Sequence, residues 1–491
     1  MPKSFVSVSA APRRVAAAAA TLCAALALAG CASQGPAHEP LARLGASDLG
    51  LTAQSETGAN TSLPAADWWK SLGDAQLDSL IAQALQGSPS LAMSRARFDK
   101  AAALATATST ATDVRGTLGV DATRQHYSAN GLVPAPIAGH TYNTGNLQAG
   151  LSWTPDFFGR HAADLQAALG QARAAQADSA AATNQLAAQV ARSYVALARL
   201  IAQKDVAGRT LTQRQSLLDL SQQRTRAGLD SQVELTQAQA GLPDAGTQIE
   251  MLDEQITLAR RTIAVLCGQA PEAQLQLSPR LAALQIQAVP GQLGADLLGR
   301  RPDVVAARWR VESATQGIES ARADFYPDIN LTAFIGLNAI GLDNLFKGSS
   351  RQMGITPALR LPLFDGKRLR AQLRGTQADL DTAIAQYNGV VLDAVKEAGD
   401  AITSVQSLVR QQQLQAESLE KAERAYDFAV QRYKAGLASQ VTVLNTETQV
   451  ITQRRLDVDL RARALDTRVS LMKALGGGWT DGTAAVQVSQ H

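Results

Sequence analysis

Two stretches of this chain, 160–226 and 367–434, run for about 65 residues each without a proline, and both keep a helical pattern throughout. At a rise of about 1.5 Å per residue each would span roughly 100 Å. Helices of that length cannot fold back into a compact domain, so they must pack side by side as an extended assembly. They are also copies of one another. The segment 223–233, QRTRAGLDSQV, returns as 431–441, QRYKAGLASQV. Each copy runs on through a second helical stretch, 231–268 and 439–476, and stops at a glycine, Gly268 or Gly476. Upstream, Pro155–Gly159 matches Pro362–Gly366, and Pro89 with Arg95 and Arg97 matches Pro302 with Arg308 and Arg310. The chain is a duplication of one large unit rather than a short-period solenoid.

Each copy reads as helix, two strands, a very long helix, a tight turn and a returning helix. The strands are predicted over about 115–128, 143–154, 328–338 and 352–362. In the third, Ile329, Leu331, Ala333, Ile335 and Leu337 alternate with Asn330, Thr332 and Gly336. Alternating stretches of about ten residues mark strands of a transmembrane β-barrel, although a half-buried soluble sheet would alternate as well. The spacing of the matched segments predicts a shorter inter-strand loop in the second copy. Each long helix is reversed at a basic-Ala-Gly-Leu turn, through Gly228 and Leu229 or Gly436 and Leu437, where glycine suits the left-handed residue that follows a helix end. Gly241, Pro243 and Gly246 interrupt only the first returning helix, which predicts a kink or break near Pro243.

Four strands cannot close a barrel, for which about eight are needed, and open strand edges cannot face lipid. If these strands span a membrane, the chain must therefore assemble with others. The composition agrees with a helical tube: 46% of residues are hydrophobic but only 4% aromatic, fewer rings than a large globular core uses.

The start of the chain is a separate matter. Lys3, Arg13 and Arg14 precede an apolar run from Val15 to Leu28, followed by Ala29, Gly30 and Cys31. A basic start, a short apolar core and a small-residue exit make an export signal, and Leu-Ala-Gly-Cys resembles a bacterial lipobox. Cleavage before Cys31 and lipidation of that residue are expected, with diacylglycerol on the thiol and an acyl group on the new amino terminus. The next residues are Ala32 and Ser33, and the absence of an aspartate after the cysteine favours the outer membrane. Residues 1–30 are thus read as signal peptide, 31–66 as a lipidated linker, 67–280 and 281–479 as the two structural repeats, and 480–491 as a tail. The formal charge of +3 falls to near neutrality once the three signal cations leave, which gives no case for nucleic acid. Cys267 then stands without a disulfide partner, as a small apolar residue at a helix end.

Six motifs in order carry a resemblance: the lipobox, the Trp68-Trp69 to Gly73-Asp74 start, Arg300–Asp303, Ala321–Pro327, Leu361–Gly366 and Lys473–Trp479. Together they resemble the TolC family over residues 67–479, in its lipidated OprM/NodT-type branch. The resemblance implies an α+β membrane channel: a homotrimer whose twelve-stranded outer-membrane β-barrel continues into a long periplasmic α-helical barrel. It implies a periplasmic adaptor protein and an inner-membrane pump of the resistance-nodulation-division type as partners. The cargo would be drugs, solvents, metals or lipophilic metabolites.

It also implies a gate beyond the turns. The family's acidic positions correspond to Glu234 in the first copy and to Thr442 and Asn445 in the second, where this chain departs from the carboxylates. Arg432 and Tyr433 match the basic-Tyr pair of the closed state. Gly228, Leu229, Gly436 and Leu437 match the tip that meets the adaptor. Ordinary coiled-coil surface is the plain alternative for the gate residues, as a periplasmic coiled-coil spacer without transport is for the whole chain. No catalytic residue, cofactor or metal site is expected: His38, His126, His140, His161 and His491 lack ligand spacing, and no nucleotide-binding or nucleophile motif occurs.

Overall fold

The computed structural model describes residues 38–51, 65–285 and 297–480. The lipobox, the signal peptide, most of the linker and residues 481–491 lie outside the described residues. Helices α1 (Ala75–Gly87) and α2 (Pro89–Ser109) lead into strands β1 (Arg115–His126) and β2 (Thr141–Trp153). Then come α3 (Arg160–Arg226) and α4 (Gln232–Leu266). The second copy follows with α5 (Pro302–Ala323), β3 (Asp328–Ile340), β4 (Arg351–Arg360), α6 (Gly366–Lys434) and α7 (Gln440–Ala474). The β3–β4 connection, 341–350, is shorter than the β1–β2 connection, 127–140.

The strands form one antiparallel meander in the order β1-β2-β3-β4, so the two copies join at β2–β3. Their register aligns the alternation across the whole sheet. Leu118 pairs with Ala149, Ala149 with Ile335 and Ile335 with Met353. One row over, Gly116, Leu151, Ala333 and Ile355 are aligned. The other face carries Gln148, Gly336 and Gln352 in register, and Gln352 Nε2 donates to Asn146 Oδ1 at 3.0 Å. The apolar face is bare within the chain, with Leu118, Met353 and Ile355 each more than 70% exposed, and β1 and β4 are open edges. No helix among the described residues is long and apolar enough to cross a membrane.

The long helices have 67 and 69 residues. Their core lies midway along, where α1 and the Trp68–Leu72 turn pack on α3: Leu77, Leu80 and Ile81 meet Leu186, Val190, Tyr194 and Leu197, closed by Ile263 of α4 and Leu465 and Val469 of α7. Alanine recurs on the buried face of α3, at positions such as Ala187, Ala191 and Ala198, which lets these helices approach closely. Of the kink or break expected near Pro243, the break does not occur: α4 runs through it as one helix. Proline removes one helical hydrogen bond at a cost of about 3 kcal/mol, and packing along α3 outweighs it.

Both returning helices end in the same way. Gly268 has φ +70° and Gly476 φ +93°. A Cβ would stand 2.1 Å from Gly87 O at the first and 2.3 Å from Arg300 O at the second. These carbonyls lie two residues before Pro89 and Pro302, so each copy locks its last turn onto its first proline-led helix. Gly268→Ala is therefore expected to destabilise the protein: the left-handed backbone alone costs about 1–2 kcal/mol, and the blocked carbonyl adds to it. A melting temperature at or above that of the wild type would refute this account.

The linker was read as a segment of little pattern, yet its described part is held in place. Leu41 N donates to Asp381 Oδ1 at 3.1 Å, and Leu44 N to Asn388 Oδ1 at 2.9 Å. Arg43 pairs with Glu312 at 2.9 Å, and Leu49 packs with Val304, Val391 and Ala394. The strap runs parallel to α6, away from the sheet.

Candidate functional site

The two hairpins, α3–α4 and α6–α7, turn at the end of the molecule far from the sheet. Gly228 has φ +71° and Gly436 φ +74°. Leu229 N donates to Arg224 O at 2.9 Å and Gly228 N to Thr225 O at 3.0 Å. Leu437 and Gly436 repeat the pattern onto Arg432 and Tyr433. Both turns are thus Schellman motifs, which satisfy the last carbonyls of each helix. Leu229 and Leu437 project from the tips, 65% and 68% exposed.

A half-buried ionic cluster ties one hairpin to the other at these tips. Arg224 Nε donates to Asp230 Oδ2 at 3.1 Å. Its Nη1 donates to Tyr433 O at 3.0 Å, capping the end of α6, and its guanidinium lies 4.6 Å over the Tyr433 ring. The Tyr433 hydroxyl closes the triangle by donating to the same Asp230 oxygen. Tyr433 is 1% exposed, and the side chains of Arg224 and Asp230 are 13% and 8% exposed. Burial works to raise the Asp230 pKa, but the hydrogen bonds from Arg224 and Tyr433 prevail and hold it below the usual carboxylate range. Burial and the neighbouring carboxylate push Tyr433 up to about 12, so it stays a neutral donor.

Of the residues singled out by sequence, Tyr433 alone joins this cluster. Arg432 is exposed, with only a 3.4 Å contact from Nη2 to Leu437 O. Glu234 turns back on its own helix start: its Oε2 accepts from Ser231 N at 2.9 Å and from Ser231 Oγ, the reciprocal capping box of a Ser-x-x-Glu start. The bond from Ser231 Oγ lowers its pKa. Thr442 is similarly occupied with Ser439, the hydroxyl oxygens 3.2 Å apart, and Asn445 is exposed.

Sequence reasoning missed Arg224 and Asp230, although the repeat contained the signal. Arg224 and Arg432 are equivalent positions, but Asp230 faces Ala438 in the alignment of the copies, and Tyr433 faces Thr225. Only the first copy supplies the acid and only the second the phenol, so the tie can form just once, between the hairpins. The Arg300–Asp303 motif has a structural role. Arg301 Nη2 meets Asp303 Oδ2 at 2.6 Å, and its Nη1 meets Glu397 Oε2 at 2.9 Å and Ala474 O at 3.2 Å. It thereby joins the start of α5 to the middle of α6 and the end of α7. Among the described residues no group of His, Cys, Asp and Glu could hold a metal, and Cys267 is buried, 3.5 Å from Leu80 O.

Comparison with known proteins agrees with this architecture. The family model for outer membrane efflux proteins matches residues 80–269 and again 293–477, once per copy. The chain is 35% identical to the multidrug resistance outer membrane protein MdtP of Escherichia coli K12 over 436 residues, which is 86% of this chain and 88% of that one. It is 40% identical to the fusaric acid resistance protein FusA of Burkholderia cepacia over 370 residues, covering 73% and 69%. The crystal structure of the outer membrane protein VceC from Vibrio cholerae superposes with a TM-score of 0.80 at 35% identity, covering 84% of this chain and 99% of that one. This chain belongs to the outer membrane efflux protein, or TolC, family: it is a channel of the outer membrane that reaches into the periplasm, and not an enzyme.

Proposed function

We propose that this chain forms the exit duct of a drug or small lipophilic molecule efflux pump and that the cluster at its hairpin tips is part of the gate. Channels of the family are typically trimeric and belong to tripartite pumps. The observation that carries the reading is the sheet: one face apolar, the other polar, both edges open. Three copies paired edge to edge would close twelve strands around a polar lumen, and the long helices would continue that lumen towards a periplasmic adaptor and an inner-membrane pump of the resistance-nodulation-division type. The names of the relatives, multidrug and fusaric acid resistance, support small organic cargo. Coexpression with an adaptor and pump in a strain lacking its own duct tests this. Restored growth on lipophilic drugs is expected; conductance of purified trimers without any restored resistance would point to another cargo.

The tips, with Gly228, Leu229, Gly436 and Leu437, would meet the adaptor. The gate would be the Arg224–Asp230–Tyr433 tie, which closes each protomer's hairpins upon one another. Arg432, Glu234, Thr442 and Asn445 remain candidates for the lumen wall or a neighbouring subunit.

Lipidation of Cys31 is part of the same reading, with residues 1–30 removed as signal and the tail from 480 without an assigned role. The strap supports it. Leu41 meets Asp381, fifteen residues into α6 from Gly366 and so about 22 Å from its sheet end. Cys31 lies seven residues before His38, a reach of at most about 25 Å. The length therefore suffices for a lipid at Cys31 to enter the leaflet beside the barrel rim. Cys31→Ser is expected to abolish incorporation of labelled palmitate and to retain the signal segment; palmitate on the variant would disprove the assignment.

A further inference from the structure

Ion pairs join α3 to α7 well above the tips, but most are at the surface. Arg192–Asp466 at 2.8 Å and Arg199–Asp459 at 3.3 Å have side chains 39–53% exposed. Pairs of this kind contribute less than about 1 kcal/mol each and can slip without much cost. Arg214 is different. Its side chain is 20% exposed, and its Nε lies 3.4 Å from Oε2 of Glu447 on α7, which is 2% exposed. Its Nη1 donates to Gly241 O at 2.8 Å and to Asp244 Oδ2 at 2.7 Å on α4. One guanidinium thus holds the returning helices of both hairpins.

A glycine within α4 is what admits it. A Cβ at Gly241 would stand 3.3 Å from Arg214 Cδ, so glycine makes the notch through which the arginine reaches Asp244. The equivalents of Arg214, Gly241, Asp244 and Glu447 in the other copy are Ala422, Gln449, Thr452 and Gln239, none of which could build a second such tie. The buried Glu447 is incompletely satisfied, since its Oε1 has no hydrogen-bond partner. An under-bonded buried carboxylate is expensive to keep for packing alone.

We propose that Arg214, Asp244 and Glu447 form a second restraint on opening, ten residues up α3 from Arg224, which limits how far the helices part once the tip tie is released. It rests on the gating reading above. Arg214 and Glu447 are positioning residues here: they hold α4 and α7 against α3 without lining the tips. Burial raises the Glu447 pKa, so the charged form is the costly one, and Glu447→Gln, of the same shape, is expected to leave the melting temperature of the trimer unchanged or higher. A role in stability alone would lower it.

The test compares lipidated trimers in planar bilayers: wild type, Glu447→Gln, the tip-released pair Asp230→Asn with Tyr433→Phe, and all three changes together. Glu447→Gln alone is expected to stay closed. Added to the released tip it is expected to raise the open-to-closed ratio roughly tenfold, which corresponds to about 1.4 kcal/mol. An increment absent from that background, or a lowered melting temperature, overturns the proposal. Spin labels at the exposed Gln237→Cys of α4 and Thr448→Cys of α7 decide it independently of conduction. Their distance distribution should stay narrow after tip release and broaden only when Glu447→Gln is added; broadening on tip release alone overturns the second restraint. If tip release leaves conductance unchanged, the gate reading fails, and the label distances still show whether Arg214 holds the helices.

Discussion

Asp230→Ala is expected to produce a channel that no longer closes. The carboxylate is the acceptor for both Arg224 and Tyr433, and its removal strands a guanidinium that is 13% exposed. Deleting one partner of a shielded pair costs more than losing a surface pair. Most of that penalty falls on the closed arrangement, because parting the hairpins returns Arg224 to water. Single-channel recording should show small, flickering wild-type currents replaced by large, sustained ones. Arg432→Ala, which removes an exposed side chain, should change them little.

The pH dependence follows from the same triangle. The pKa of Asp230 is lowered in the folded chain, so its contribution is fully present above the unfolded value near 3.8 and is lost as pH falls through the still lower folded value. Closure should therefore persist throughout the range above about pH 4 and weaken only below it. Asp230→Asn should remove that acid limb. Wild-type and Asp230→Ala traces that cannot be told apart would remove the tip cluster from the gate.

Ile335→Lys should prevent assembly. Ile335 sits midway along β3, exposed, with Ala149 and Met353 on either side. A lysine there would face the hydrocarbon core at a cost of about 2–4 kcal/mol per copy near the midplane, and the proposed trimer would carry the change in every subunit. Asn338→Lys, three residues on and across the pleat, should be tolerated, because it would project into water. Unboiled gels of membrane fractions separate the two cases: the heat-resistant oligomer should vanish for the first and persist for the second. Equal behaviour would mean that the alternation does not distinguish lipid from lumen.

Much of this was legible in the chain because periodicity survives without knowledge of contacts. The strand alternation gave β3 to within two residues, and the proline-free runs gave α3 and α6 nearly whole. The turns were fixed by single glycines, whose left-handed backbone is a local property. What was not legible depended on a partner element. Of the kink or break expected near Pro243, the break did not occur, because tertiary packing along α3 overrides a local propensity. Glu234, offered as a gate acid, has one carboxylate oxygen in its own capping box with Ser231, a bond that the Ser-x-x-Glu spacing carries locally. Arg432 and Arg224 look alike in the repeat; only the aspartate six residues after one of them decides which is buried. The strap at 38–51 has no internal pattern, since the order it shows is imposed by Asp381, Asn388 and Glu312.

The open edges of the sheet have a genetic consequence. A barrel wall shared among subunits is only as sound as its worst contributor, so a defective chain that still pairs through β1 and β4 would spoil the assemblies it enters. In a cell making both versions, the proportion of flawless assemblies of the proposed trimer would fall as the cube of the sound fraction. Alleles damaging the apolar face should therefore be recessive if they block pairing, and dominant if they leave the edges intact.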